Sequence, residues 1–498
     1  MRVQQLLEHH GIAVNPFAEE DAQSDPVFKE RCRDATYHPA WDKVYGNPSD
    51  PATSIVFGEK GSGKTAMRMQ MAGRIALFNA HPGNSRLYVI EYDDFNPFID
   101  HFADRLSARK QRDPAKVIAE WKLCDHMDAI LSLGVTSLVD RLLGVPHPTG
   151  PDANQVSSDR MRTLDRHQKR DLLLLVTCYD NSTRENVVSR WGRLRRKLRY
   201  QTWQSWWDRI VGVIVTLAVI ATILYWRQWG WLTTPWPYLM VAAGWLPWLA
   251  RLTKWYLVGR RIARNVRVLK PHVASLRRLL MRFPTRDIDG QPLPESQRTD
   301  DRFELLAKLQ GVLKSLGCDG VVVLVDRVDE PHLITGSVER MRALVWSMLD
   351  NKFLKQPGLG LKLMLPRELV DYMQREDRDF YQRARLDKQN MIPSLEWTGE
   401  ALYDLANARI RSCGVDSEEP TLRSLLDDSI TNQRLIDSFR SLRVPRHLFK
   451  FLYRLLVAHC NAHTDEKPVW QIPKETFEAT LAVYSRDQDA IDRGLQAG

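Results

Sequence analysis

The sequence predicts an α/β fold with a parallel β-sheet core, and two stretches support that prediction. The first is a β-rich run, 53–57, followed by a glycine loop and an amphipathic helical stretch, 66–78. The second is the apolar run 320–325, which ends at Asp326 and is typical of a buried parallel strand. A long insertion separates the two stretches in this chain of 498 residues, so we expect more than one structural part.

The glycine loop has the G-x-x-x-x-G-K-T pattern of a phosphate-binding loop (Walker A). Its residues are Gly58, Glu59, Lys60, Gly61, Ser62, Gly63, Lys64 and Thr65. Glycines let backbone N–H groups close on phosphate oxygens, and the following helix adds its positive N-terminal end. We expect Lys64 to contact the β- and γ-phosphates of ATP and the Thr65 hydroxyl to ligate Mg²⁺. The strand–loop–helix context therefore predicts a nucleotide-binding site.

Asp326 is expected to form the second half of this site. An acid at the end of a core strand (Walker B) faces the water shell of Mg²⁺. Acids recur at Asp329 and Glu330, and one of them is expected to orient or deprotonate the attacking water. Glu330 is slightly favoured over Asp329 for this role. The acid that does not act on the water is expected to cap the following helix.

Two arginines complete the candidate catalytic residues. Arg367 follows a third strand candidate, 361–365. In additional-strand ATPases a polar residue at the end of this strand senses the γ-phosphate, and Arg367 is the candidate for that role. The alternative is that Arg367 forms a structural salt bridge. Arg446 lies at the start of a helix in the helical stretch 397–460 and resembles the sensor of a lid domain.

Two uncharged runs, 210–226 and 229–250, predict a transmembrane hairpin. Each approaches the roughly 20 apolar residues that a membrane-spanning helix needs, although a pair of buried core helices is the alternative. Residues 184–279 carry 18 Lys and Arg against two acids, so both flanks are expected to be cytoplasmic. Tryptophans cluster at the expected interfaces, at positions 203, 206, 207, 226, 229, 231, 236, 248 and 255. Prolines at 235, 237 and 247 leave the bounds of the second helix open.

The charge of the remaining chain argues against a general nucleic-acid-binding surface. The net charge is +10 and residues 184–279 hold +16, so the remainder carries 10 − 16 = −6. Six scattered cysteines without a C-x-x-C pair suit a reduced cytosolic body, and the N-terminus lacks the apolar run of a signal peptide.

These observations divide the chain into seven expected segments. They are an N-terminal segment (1–49), the first half of the core (50–145), a helical linker (146–209), the transmembrane hairpin (210–250), a basic juxtamembrane helix and loop (251–299), the second half of the core (300–395) and a helical lid (396–498).

The order of these features resembles the KAP class of P-loop NTPases, which carry transmembrane helices between the two Walker motifs. The stretch from Asp326 to Glu330 also looks like the NACHT and wider STAND pattern, from which Arg327 departs because a small residue usually follows the first Asp. The Pro445-Arg446 helix is similar to the lid motif of AAA+ and STAND ATPases. The resemblance implies a switch or assembly-driving ATPase, often bacterial and often linked to antiviral (anti-phage) defence.

We therefore expect a Mg²⁺-dependent ATPase that is anchored in the inner (cytoplasmic) membrane by two spans, with its body and both termini in the cytoplasm. A homo-oligomer is expected, with an effector protein encoded nearby. ATP would favour a closed or oligomeric state and hydrolysis would reset it. The alternatives are a nucleic-acid translocase and a scaffold that binds ATP without hydrolysis. A small-molecule transporter is disfavoured because neither span contains an ionisable residue.

Overall fold

The structure of the chain is a computed structural model that describes residues 1–81, 83, 86–145, 158–227, 229–376, 378–386, 389–415 and 419–492. The first part of the expected helical linker, 146–157, lies outside the described residues.

Five strands form one all-parallel sheet, so the predicted α/β class is confirmed. The strands are β1 (Ser54–Gly58), β2 (Arg86–Tyr92), β3 (Cys318–Val325), β4 (Leu359–Pro366) and β5 (Asn390–Ile392). Their order in the sheet is β2-β3-β4-β1-β5, which places β4 between the strand before the glycine loop and the strand before Asp326. Ser54 of β1 aligns with Lys362 of β4 and with Asn390 of β5.

Helices make up most of the remaining structure. In chain order they are α1 (Val3–His9), α2 (Trp41–Tyr45), α3 (Lys64–Ala80), α4 (Asn96–Ala103), α5 (Ala108–Gln111), α6 (Pro114–Ala119), α7 (Leu123–Leu143), α8 (Arg166–Tyr179), α9 (Val187–Leu198), α10 (Trp207–Tyr225), α11 (Trp236–Asn265), α12 (Val273–Leu280), α13 (Thr285–Ile288), α14 (Asp300–Ser315), α15 (Val338–Trp346), α16 (Asn351–Leu354), α17 (Glu368–Gln374), α18 (Arg378–Ala384), α19 (Gly399–Ser412), α20 (Asn432–Leu442), α21 (Pro445–Ala462) and α22 (Lys474–Asp492).

Several helix ends follow directly from the local sequence. Asp113 caps α6, and Pro114 is the first residue of this helix. Proline is tolerated there because the first N–H groups of a helix have no partner within the helix. Residues 96–143 thus form four separate helices, α4 to α7. The last of these ends at Gly144, whose φ of +75° is readily adopted only by glycine. Asp165 caps α8 by accepting a hydrogen bond from the backbone N–H of Gln168 at 2.7 Å.

The chain divides into two compact units. The first unit comprises Met1–Phe78, Leu324–Asp329 and Gly360–Gly498, and the second comprises Asn79–Val323 and Glu330–Leu359.

In the first unit, the N-terminal segment and the C-terminal helices share one hydrophobic core. Leu6, Leu7 and Ile12 belong to the same cluster of buried side chains as Leu448 and Phe451 of α21. Strand β4 adds a buried polar group to this unit. The Lys362 ammonium donates to the carbonyls of Val44 at 2.7 Å and Tyr45 at 3.1 Å, and burial lowers its pKa to about 8.

In the second unit, buried ion pairs stabilise the helices around α7. Arg302 pairs with Asp128 at 3.1 Å, and both side chains are fully buried. Arg190 pairs with Asp180 at 2.8 Å, and Arg267 pairs with Asp125. Removing one partner of such a pair costs about 3–5 kcal/mol because the other charge stays buried and uncompensated. Part of the basic charge of residues 184–279 is therefore neutralised inside the fold.

The expected pair of membrane spans is reduced to one candidate. Within the residues that the structure describes, α10 is the one helix that is long and apolar enough to cross a membrane by length and composition, and only 11% of its most apolar window is buried. The second expected span, 229–250, falls on a short 3-10 helix, Trp229–Thr233, and on the first half of α11. A multi-pass hairpin is not supported, because Trp and Pro lower the hydropathy of that half and charged residues follow from Arg251.

The basic helix expected after the second span is also two helices. Helix α11 continues without a break from the uncharged run to Asn265, and α12 begins only at Val273. Pro271 lies in the connection, where it cannot continue a helix.

Helices α10 and α11 pack against each other in antiparallel orientation. Gly212 lies under the ring of Trp245, where an added Cβ would come within 2.8 Å of the indole. The Trp245 Nε1–H donates to the Thr216 hydroxyl at 3.1 Å, and Arg251 pairs with Asp208 at 2.8 Å. Both helices expose large apolar side chains, among them Ile214, Leu217, Leu224, Leu239, Met240 and Leu246.

Protonation of the buried His126 ring is expected to destabilise the second unit in acid. Its Nε2 lies 3.0 Å from the Leu344 carbonyl, which can only accept, and its Nδ1 lies 3.1 Å from the Tyr92 hydroxyl. Burial lowers the pKa of His126 from 6.5 to about 4. The free energy of unfolding should therefore be unaffected above pH 6.5 and fall as the pH drops towards 4, by up to about 3 kcal/mol.

Denaturant unfolding of the wild type and His126→Gln at about pH 7.5 and about pH 5 measures this effect. The variant should be less stable at neutral pH and lose less stability in acid, by about 2 kcal/mol. Equal losses in the two proteins would rule out His126 as the source.

Candidate functional site

The glycine loop connects β1 to α3 within the first unit. Gly61 and Gly63 have φ angles of +83° and +96°, a region that other residues rarely adopt. Helix α3 begins at Lys64, as the motif predicts. The Lys64 ammonium donates to the carbonyls of Gly58 at 2.7 Å and Glu59 at 2.9 Å. Burial lowers the pKa of Lys64, and the nearby carboxylates of Asp326, Asp329 and Glu368 oppose this shift.

Asp326 follows the last residue of β3 and lies beside the start of α3. The Thr65 hydroxyl is hydrogen-bonded to its carboxylate, and the residue is 1% exposed. Its Oδ2 atom is buried without a hydrogen-bond partner. Burial raises the pKa of Asp326, while Arg68 and Thr65 act in the opposite direction. The structure thus brings together the two residues that the sequence assigns to Mg²⁺.

Arg68 is a residue of this site that the sequence analysis missed. Its Nε lies 3.5 Å from Asp326 Oδ2, and its side chain is 4% exposed. A signal for it exists, because Arg68 is four residues after Lys64 and the two therefore share a face of α3. Arg68 compensates the negative charge of a carboxylate that the fold removes from water.

The candidate water-activating acids lie in different surroundings. The Asp329 carboxylate lies 3.9 Å from the ammonium of Lys60 in the loop. Arg327, between Asp326 and Asp329, has a φ of +60°, which glycine would adopt at lower cost because it lacks a Cβ. Glu330 is exposed and begins the second stretch of the second unit. The structure therefore brings Asp329 close to the loop within the first unit.

Arg367 and Arg446 both contact the loop. The Arg367 guanidinium pairs with Glu59, and its backbone N–H donates to the Gly58 carbonyl at 3.1 Å. The backbone N–H of Arg446, at the start of α21, donates to the Gly61 carbonyl at 3.3 Å. The Arg446 Nε atom is buried without a hydrogen-bond partner. Both arginines proposed from the sequence are therefore close enough to the loop to respond to its occupant.

Trp397 is a second residue of the site that the sequence analysis missed. Its indole N–H donates to the Ser62 carbonyl at 2.8 Å, and its ring meets the His38 ring edge-on at a centroid distance of 4.8 Å. No local pattern marks either residue, because His38 and Trp397 lie far from the loop in sequence.

A cavity of about 140 Å³ adjoins the loop within the first unit. Its apolar lining comes from the N-terminal segment and from the C-terminal helices, and includes Phe28, Trp397, Leu405 and Phe449. Residues Gly61–Met67 form the wall on the side of the loop. A flat apolar ring attached to a phosphate chain is the kind of ligand that suits this combination.

The oxygen atoms at the site fit Mg²⁺ better than a softer metal ion. The Thr65 hydroxyl and the Asp326 carboxylate are hard oxygen donors, and Mg²⁺ usually takes one or two protein ligands together with phosphate oxygens. Groups of three or more His, Cys, Asp or Glu side chains that could hold a metal ion do not occur among the described residues.

No protein-family model, curated protein or solved structure matches this chain.

Adding a methyl group at Gly61 is expected to disturb the site more than the same change at Gly46. Both glycines have positive φ angles, +83° and +67°. A Cβ on Gly61 would lie 2.5 Å from Arg446 Cβ, whereas nothing lies within 4 Å of a Cβ on Gly46. Gly46→Ala should lose about 1–2 kcal/mol of stability through backbone strain alone. Gly61→Ala should lose about 1–3 kcal/mol more, because the methyl group displaces α21 from the loop.

Thermal unfolding and titration with a fluorescent ATP analogue measure the two variants. Only Gly61→Ala should bind the nucleotide more weakly than the wild type. Equal stability and equal affinity of the two variants would contradict the contact between the loop and Arg446.

Proposed function

We propose that this protein is a membrane-anchored, Mg²⁺-dependent ATPase that acts as a nucleotide-driven switch. The observation that carries the proposal is the hydrogen bond between Thr65 and Asp326. These residues are 326 − 65 = 261 positions apart, and each had been assigned to Mg²⁺ from its own motif. The position of β4 between β1 and β3 also supports the proposal, since an extra strand between the two motif-bearing strands is what defines additional-strand ATPases.

ATP would bind with its phosphates in the glycine loop and its base in the adjoining cavity. Lys64 would turn from the Gly58 and Glu59 carbonyls towards the β- and γ-phosphates. Thr65 and Asp326 would hold Mg²⁺, which would supply neutralisation of the charge that develops on the phosphate oxygens. Arg68, whose Nε lies 3.5 Å from Asp326 Oδ2, would compensate the same carboxylate in the absence of the ion.

Asp329 is the acid that we propose to orient the attacking water. Its carboxylate lies close enough to Lys64 to affect the pKa of that ammonium, and it faces Lys60 of the loop. Arg367 would leave Glu59 to contact the γ-phosphate, as a sensor. Arg446 would carry the change in the loop to α21, since its backbone is hydrogen-bonded to Gly61.

Membrane anchoring is proposed for α10. Helix α10 meets the length and composition of a span, and α11 packs against it in antiparallel orientation with exposed apolar side chains. Homo-oligomerisation and a role in antiviral defence remain predictions from the family resemblance.

Substitutions in the two motifs should separate binding from hydrolysis. Lys64→Ala should weaken ATP binding, whereas Asp326→Asn should retain binding and lose at least about 100-fold in the rate of phosphate release. Asp329→Asn should lose a similar factor, and Glu330→Gln is the matched control with little loss. The measurements are phosphate release with and without Mg²⁺ and titration with a fluorescent ATP analogue. Unchanged phosphate release in Lys64→Ala would exclude this site as the source of the activity.

Charges on the exposed face of α10 should release the protein from membranes. Ile214 and Leu217 are 59% and 60% exposed, and each Arg at the centre of a membrane helix costs about 2.5–3.5 kcal/mol. The Ile214→Arg/Leu217→Arg variant should lose resistance to alkaline extraction. The control Leu77→Arg/Val483→Arg changes two exposed apolar residues elsewhere and should extract like the wild type. Extraction of the wild-type protein into the soluble fraction would refute the anchoring.

A further inference from the structure

An arginine-lined cleft lies beside the first residues of α10 in the second unit. Its walls come from α9, α10, α11 and α12, and we call it the arginine cleft. Its lining contains one carboxylate, Glu185, and six arginines: Arg193, Arg196, Arg209, Arg277, Arg278 and Arg282. The cleft therefore has a large excess of positive charge in a small volume.

Five of these six arginines have no carboxylate partner within the described part of the chain. Arg193 pairs with Glu185. Arg196 donates to the Gly192 carbonyl at 3.4 Å, and Arg209 lies over the ring of Trp206 at 5.2 Å. Arg282 lies over the ring of Trp191 at 5.4 Å. Burial lowers the pKa of Arg282, and repulsion from Arg278 and Arg195 adds to that shift.

This surplus contrasts with the other arginines of the unit. Arg190 and Arg302 have fully buried side chains, and each pairs with a carboxylate that is buried as deeply. The fold thus supplies a carboxylate partner to each of these two buried arginines, but it supplies none to five of the six arginines of the cleft within the described part of the chain. An anion from outside the protein would remove the repulsion between the guanidinium groups.

The cleft also lies beside the charged end of the proposed membrane span. Arg209 directly precedes the uncharged run that begins at Ile210, and Trp248 and Leu252 of α11 belong to the same lining. Helix α10 has 19 residues, a length of about 28 Å, which matches the roughly 30 Å hydrocarbon core of a bilayer. A cleft at the charged end of such a helix faces the headgroup region.

We propose that the arginine cleft binds the phosphate headgroup of an anionic phospholipid. Guanidinium groups donate to phosphate oxygens in pairs, and several converging arginines favour phosphate over a zwitterionic headgroup, whose own ammonium they repel. The inference rests on the proposed membrane anchoring through α10, since that anchoring brings the lipid to the cleft. Nucleic acid is the other polyanion that could bind the arginine cleft.

Binding of soluble short-chain lipids to the full-length protein in neutral detergent tests the proposal. The probes are dioctanoyl phosphatidylglycerol and dioctanoyl phosphatidylcholine. Wild-type protein should bind the phosphatidylglycerol at least about tenfold more tightly than the phosphatidylcholine. The Arg196→Glu/Arg278→Glu variant should lose on the order of 30-fold in affinity for phosphatidylglycerol. If the Glu variant does not fold, the milder Arg196→Gln/Arg278→Gln variant is used in its place.

The matched control is Arg260→Glu/Arg264→Glu on α11. It makes the same change in net charge at two exposed arginines outside the cleft, and should keep wild-type affinity. Equal losses in the two double variants would overturn the site, as would equal wild-type affinity for the two lipids. Displacement of the lipid by inorganic phosphate or by a single-stranded oligonucleotide, at matched phosphate concentration, would also overturn it.

Alkaline extraction of the same proteins separates this inference from the proposed anchoring. A wild-type chain that resists extraction but does not prefer phosphatidylglycerol keeps the anchoring and loses the lipid site. A wild-type chain that extracts freely but binds phosphatidylglycerol through the cleft loses the anchoring and keeps the phosphate-binding surface.

Discussion

The buried carboxylate of Asp326 imposes the requirement around which the first unit is built. Removing a charge from water costs several kcal/mol, and the loss is recovered only through close partners. Thr65 and Arg68 supply them, and both belong to the first turns of α3. The glycine loop determines where α3 begins. The contacts of the Asp326 carboxylate therefore fix the positions of the loop, of α3 and of the end of β3 relative to one another. Arg68 thus provides a positive partner for this carboxylate from within the chain.

The loop backbone is also tied to three later parts of the first unit. Gly61 accepts from the backbone of Arg446, Ser62 accepts from the Trp397 indole, and Glu59 pairs with Arg367. These residues belong to α21, to the connection after β5 and to the end of β4. Any change in the conformation of the loop must therefore be accommodated by the C-terminal part of this unit. That coupling is what a switch requires, since a ligand shifts a conformational equilibrium only through contacts that differ between the states.

Local sequence patterns predicted the parts of the structure that local physics determines. The glycine loop, the strand before Asp326 and the start of α3 each follow from a few adjacent residues. The prediction of a second span was wrong because it used the absence of charged residues as its criterion. It did not take into account the weak apolar character of Trp and Pro. Residues 184–279 form one strongly basic segment in the sequence, yet the side chains of Arg190 and Arg267 are internal. Their partners lie 10 and 142 residues away, so only the folded chain separates paired arginines from those of the cleft.

Contacts between α10 and α11 hold the two helices together along their length. The Gly244 backbone of α11 allows close approach to Val215 of α10. The Arg251 guanidinium of α11 pairs with Asp208, which lies beside the apolar run of α10. Small residues of this kind permit the close packing of helices. Of the two, helix α10 alone has the length and apolar composition that a span requires, so the packing of α11 on α10 does not make α11 a second span.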